Sequence, residues 1–188
     1  SIYNSLLLQG GFHRRPQGRP RHEKPVWLFG EPNKNWMPVW KEISKFLKTT
    51  RQSRKPITDL YAVLRSRPYG LRKGILPILL CAVIKRYGSE IALYEDGLYQ
   101  PSISGELFER ITRVEKSFEI QQVRLSKKSR EALDSIALAL AELKIVKYTD
   151  GEINLLDIVR PLVLFVRNLN DYSKITKRFE KANTALLR

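Results

Sequence analysis

The side chains able to do chemistry are few and poorly grouped for it. The chain has two histidines, His13 and His22, both in a stretch rich in Arg, Pro and Gly, and one cysteine, Cys81, inside its most apolar run. A structural or catalytic zinc needs three or four clustered Cys, His or carboxylate ligands, and this spacing supplies no such set. A nucleophilic cysteine needs an exposed, cation-lowered thiol. Cys81 instead sits among Leu, Ile, Ala and Val, which reads as a small buried hydrophobe. No GxxxxGK[ST] stretch occurs, so no P-loop for a nucleoside triphosphate is expected. The carboxylates Glu90, Glu95, Asp96, Glu106 and Glu109 match no acid/base or metal pattern. A turn accounts for Glu95 and Asp96, and solvation accounts for the helix carboxylates. The sequence therefore predicts no catalytic residue, no metal and no cofactor.

The cations make the stronger case. Lys and Arg number 34 against 19 Asp and Glu, a net charge of +15 over 188 residues. Such an excess favours a polyanionic partner, nucleic acid first, with an acidic membrane or acidic protein behind it. The competing reading is that the charge only solubilises a piece of a larger, less basic assembly. The basic residues fall in runs. Arg14, Arg15, Arg19, Arg21 and Lys24 fall within 13–25, where prolines 16, 20 and 25 exclude a regular helix and leave a basic arm. Arg51, Arg54 and Lys55 occupy a polar connector. Arg65, Arg67, Arg72 and Lys73 surround Pro68-Tyr69-Gly70 with no acid among them. Lys127, Lys128 and Arg130 form a basic joint. All of these are candidate phosphate contacts.

The element that must position them is residues 75–84, a run with no charged or strongly polar side chain. About 20 apolar residues are needed to span a bilayer, so this run is too short to do so. An all-apolar helix of three turns must instead be covered on every side, which predicts a buried spine. Pro77 falls in its first turn, where a missing N–H matters little, and Lys85 and Arg86 suit its C-terminal end. Before it, apolar spacing predicts helices over 2–9, 36–48 (capped by Asn35) and 57–65, with a strand candidate at 26–29. After it, Asp96-Gly97 between 91–94 and 98–100 predicts a hairpin. Helix 105–113 and an extended 118–123 follow, then an amphipathic helix over 129–143. A second hairpin is expected at 145–155 around Asp150-Gly151. Asp157 is expected to cap the next helix, with Pro161 in its first turn, and Asp171 a last one over 172–187.

The expected fold is mainly α-helical with two small β-hairpins. Helix, helix, helix, hairpin over 41–101 suits a winged helix. Helix followed by an Asp-Gly hairpin occurs twice, a pattern compatible with two tandem units. The division is an N-terminal helix and basic arm (1–34), a winged-helix-like domain (35–125) and a C-terminal helical region with the second hairpin (126–188). The chain starts with Ser1 rather than Met, and no signal-peptide pattern precedes it, which suggests an excised or processed segment. With one cysteine and no secretory signal, a cytoplasmic location is expected.

A winged helix that reads sequence presents polar residues from its third helix to base edges. Here that helix is Ile-Leu-Pro-Ile-Leu-Leu-Cys-Ala-Val-Ile, which has almost nothing polar to present. The sequence thus predicts a non-catalytic module that binds nucleic acid, DNA ahead of RNA, through phosphates, with little base specificity and steep salt dependence. The alternative is a protein-interaction or scaffold domain with no direct nucleic-acid role. No membrane partner is expected.

Three stretches, Asn35-Trp36-Met37-Pro38-Val39-Trp40, Pro68-Tyr69-Gly70-Leu71 through Ala92-Leu93-Tyr94-Glu95-Asp96-Gly97, and Arg160-Pro161-Leu162-Val163 through Tyr172, resemble a helical, winged-helix-like region of large bacterial P-loop ATPases, some associated with defence against phage. The resemblance implies a parent polypeptide whose ATP site lies outside this segment. It transfers no catalytic residue.

Overall fold

The computed structural model describes residues 2–14, 28–125, 127–146 and 153–175. Seven α-helices and two small antiparallel sheets are found among them. After a single π-helical turn, Tyr3–Leu8, strand β1 (His13–Arg14) pairs with β2 (Leu28–Phe29). The turn closes at Gly10, where a Cβ would lie 2.0 Å from the Leu6 carbonyl oxygen. Helix α1 (Met37–Thr49) follows, then β3 (Lys55–Pro56), α2 (Ile57–Arg65), α3 (Leu76–Arg86), β4 (Ile91–Glu95) and β5 (Leu98–Tyr99). The chain continues through α4 (Gly105–Arg113), β6 (Phe118–Gln122), α5 (Lys127–Glu142), α6 (Leu155–Asn168) and α7 (Asp171–Ile175).

The predicted spine is α3, preceded by a 3-10 turn at Lys73–Ile75. Leu76, Leu79, Leu80, Val83 and Ile84 are each 1 % exposed. Around them pack α1 and α2 through Val39, Trp40, Ile43, Leu47, Leu60 and Leu64. Leu6 and Phe12 belong to this same core, and Phe12 meets the rings of Trp36 and Trp40 edge-on. Covering is not complete: Cys81 is half-buried, where a fully enclosed residue was expected. Removing these Leu and Ile side chains from water stabilises the fold by roughly 1.5–3 kcal/mol each.

Beneath the helices lies a four-stranded antiparallel sheet in the order β3-β6-β4-β5. The β4–β5 hairpin turns at Asp96 and Gly97, both at positive φ (47° and 80°), the conformation a two-residue turn matching strand twist requires. Strand β6 alternates buried and half-buried residues and pairs along all of β4, with Leu93 opposite Ile120. Strand β3 adds an outer edge that the sequence reading left as a connector; its two residues lie opposite Ile120 and Glu119.

Most of the second predicted hairpin, its turn included, lies outside the described residues; of the rest, Ile145 and Val146 are in no strand and Leu155 opens α6 instead of ending a strand. The cause is a capping box: the Asn154 side chain bonds the backbone at Asp157, and the Asp157 carboxylate accepts from Asn154 N–H at 3.1 Å. Asp157 is therefore inside the helix rather than its cap, and Pro161 stands in the helix interior rather than its first turn. Likewise Asn35 does not cap α1: Trp36 holds the cap position without a side-chain bond, and the turn before it is tied by Asn33, whose Oδ1 accepts from the N–H groups of Asn35 and Trp36. Asn170 Oδ1 accepts from Ser173 N–H at the start of α7; the rest of the predicted last helix lies outside the described residues. The small second sheet is instead β1–β2. Helices α5 and α6 share a separate cluster of Leu133, Ala137, Val146 and Ile158. Among the described residues no helix is long and apolar enough to cross a membrane.

Candidate nucleic-acid interface

Helix α1 ends where the sheet begins, and the junction is polar. Thr50, fully buried, donates from Oγ1 to the Leu47 carbonyl (2.8 Å) and accepts from Gln122 N–H (2.8 Å). This hydroxyl supplies a partner to β6 where the two-residue β3 has ended. Gln122 is 5 % exposed, and its amide is used at both ends: Oε1 accepts from Arg51 Nε (3.0 Å) and Nε2 donates to Glu90 Oε2 (2.9 Å). The same Glu90 oxygen accepts from Arg124 Nε at 2.9 Å. The carboxylate beside it pushes the Arg124 guanidinium above its ordinary value, so the charge is permanent. Lys48, in the last turn of α1, completes the rim. Together Lys48, Arg51, Arg124, Gln122, Ser44 and Tyr87 line a cleft of about 90 Å³.

The structure distributes the other predicted contacts differently. Arg54 is built into the sheet: its Nε pairs with Glu119 (3.0 Å), one Nη donates to the Gly97 carbonyl (3.1 Å), and its guanidinium lies 5.0 Å from the Tyr94 ring centre. Lys55 is half-buried in β3, and Lys73 pairs with Glu115 at 3.2 Å. Arg65, Arg67 and Arg72 are exposed and make no ion pair among the described residues. Arg14 lies along Gly30. Arg15, Arg19, Arg21 and Lys24 fall outside the described residues, as do the side chains of Lys127, Lys128 and Arg130, which stand at the start of α5.

Among the described residues, two groups of these cations lie at opposite ends of β6. Arg51 and Arg124 stand at the end of β6, and Lys73 meets Glu115 just before its start; five extended residues separate these ends by about 16 Å. Two members of the first group, Lys48 and Arg124, escaped the sequence reading. Lys48 reads as an ordinary solvated helix residue and Arg124 as an isolated cation. Lys48 stands beside Arg51 through the chain itself, its carbonyl accepting from Arg51 N–H, whereas Arg124 comes near only because β6 meets the end of α1 and pairs with β4.

Two of the five carboxylates, Glu95 and Glu90, are taken up by arginines. Glu95 accepts from Arg110 Nε and Nη2, both at 2.9 Å, and Glu90 holds Arg124 and Gln122. No group of three or more His, Cys, Asp or Glu is placed to hold a metal among the described residues. Burial pushes the Cys81 thiol up, away from the thiolate a nucleophile needs. Comparison with protein-family models, curated proteins and solved structures finds no match to this chain.

Proposed function

We propose that this chain is a non-catalytic module that binds nucleic acid through phosphate contacts, without base specificity, inside a larger bacterial protein. The observation that carries the reading is the net charge of +15 together with exposed arginines that no carboxylate among the described residues neutralises, Arg65, Arg67 and Arg72. The apolar face of α3 supports phosphate contact over base reading, because Leu79, Leu80 and Val83 have no access to a groove. We read the order α1, β3, α2, α3, β4, β5 as winged-helix-like. It departs from the simple form in that β6, arriving after α4, takes the place between β3 and β4. DNA ranks ahead of RNA as the partner, with a cytoplasmic setting. Filter binding of a duplex and a single strand at two salt concentrations tests the reading. Affinity should fall steeply with salt, with a log–log slope of about 0.9 per duplex phosphate neutralised. Absent or salt-independent binding rules it out.

A second reading, an interaction domain of a multidomain ATPase, is favoured by apolar side chains left uncovered on the C-terminal helices. Ile136, Leu138 and Leu143 on and after α5 are 50–63 % exposed, and Phe165 and Val166 on α6 are 46 % and 53 % exposed. It requires that adjoining sequence from a parent chain raise the stability of this segment.

A further inference from the structure

The cleft at the end of β6 has features that general surface basicity does not require. One buried amide, that of Gln122, fixes both arginines, Arg51 directly and Arg124 through Glu90. Each arginine is held by its inner nitrogen, Nε. No hydrogen bond to another described residue engages the terminal nitrogens of either. Lys48 adds a third cation against the single carboxylate of Glu90. The negative end of α1 faces this region, but its last carbonyls already accept from the N–H groups of Thr50 and Arg51. At about 90 Å³ the space is far below the roughly 300–1,000 Å³ of a pocket for a whole nucleotide-sized ligand.

The geometry points to a seat for one phosphoryl group between Arg51, Arg124 and Lys48. The assignment rests on the nucleic-acid reading for its biological source, but not for its chemistry. Forked guanidiniums suit the oxygens of a tetrahedral oxyanion, and holding each by Nε reduces the freedom lost when the terminal nitrogens bind. Backbone phosphodiesters and terminal phosphomonoesters share this chemistry.

Inorganic phosphate is the first probe, titrated into the full chain by 31P line broadening against chloride at matched ionic strength. Saturable broadening is expected for the wild type and for Lys41→Gln/Lys85→Gln, which removes the same charge elsewhere. Arg51→Gln/Arg124→Gln should weaken phosphate about tenfold or more. Lys48→Gln, outside the buried network and no threat to folding, should weaken it about threefold. Arg51→Lys/Arg124→Lys keeps the charge but loses the Nε anchors, and should fail to restore the wild-type affinity. Equal broadening in every variant, or equal suppression by chloride, overturns the seat. A short oligonucleotide carrying either a 5′-phosphate or a 5′-hydroxyl then separates the sources. Preference for the 5′-phosphate assigns a terminal monoester. Equal affinity, with a shallower salt slope in Arg51→Gln/Arg124→Gln, assigns a backbone diester. Phosphate bound normally with neither oligonucleotide bound keeps the seat and removes the nucleic-acid reading.

Discussion

Replacing Thr50 with valine should destabilise the protein by about 2 kcal/mol without leaving a void, because the two side chains have nearly the same shape. The figure follows from what the hydroxyl does. Thr50 is fully buried, and its Oγ1 is the acceptor for Gln122 N–H, on a residue only 5 % exposed. Valine leaves that donor without a partner and out of reach of water, at about 1–3 kcal/mol. The Leu47 carbonyl, the other partner, still accepts from the Thr50 backbone N–H at 3.0 Å, so little is added on that side. For a chain of this size the expected fall in Tm is about 4–8 °C. Thr49 is the control. Its hydroxyl donates only to the Phe46 carbonyl, and the residue is exposed, so Thr49→Val should change stability by less than about 0.5 kcal/mol. Urea unfolding followed by tryptophan fluorescence, with Trp40 in the core, reads both variants. Equal midpoints for Thr50→Val and Thr49→Val would refute the bridge between α1 and β6, and with it the argument that Gln122 is rigidly held.

Leu80→Ala, in the middle of α3 at 1 % exposure, should cost about 2–5 kcal/mol in the same assay, whereas Val166→Ala on the uncovered face of α6 should stay within about 0.5 kcal/mol. Gly97→Ala places a side chain at φ 80° and should destabilise by about 1 kcal/mol, read as a lower Tm; no change would mean the turn relaxes freely. Burial, with Glu115 second, pushes the Tyr61 phenol well above its ordinary value, and its hydroxyl has no partner among the described residues. Such a group favours the folded state only while the unfolded phenol is also protonated. Stability should therefore decline as pH rises above about 10, and Tyr61→Phe should remove that part of the decline while leaving neutral-pH stability unchanged or raised. Denaturation midpoints between pH 7 and 11 decide it.

Local signals carried most of the elements. The apolar run at 75–84 had to be interior, Asp96-Gly97 had to turn, and spacing located α1, α2, α4 and α5. The errors have physical causes. Lys55 and Pro56 join the sheet because Ile120 and Glu119 of β6 are there to receive them, a partner far along the chain that no local window reveals. At 153–155 the strand-like Ile and Leu residues were outweighed by Asn154 and Asp157, whose reciprocal bonds start the helix three residues early. The candidate site was legible only in half. Arg51 was visible as part of a basic run and Lys48 is its close neighbour on the chain, but Arg124 acquires meaning only from pairing between distant strands. Arg54 and Lys73, equally conspicuous in sequence, turn out to be engaged by Glu119 and Glu115.

Arg160, on α6, donates from one terminal nitrogen to the carbonyls of Gly88 and Ile91. Those two residues bracket Glu90, the carboxylate that aims Arg124. Arg160 therefore ties α6 to the backbone on either side of Glu90. Displacing α6 would have to stretch or break those two hydrogen bonds, which stand one carboxylate away from the Arg124 guanidinium.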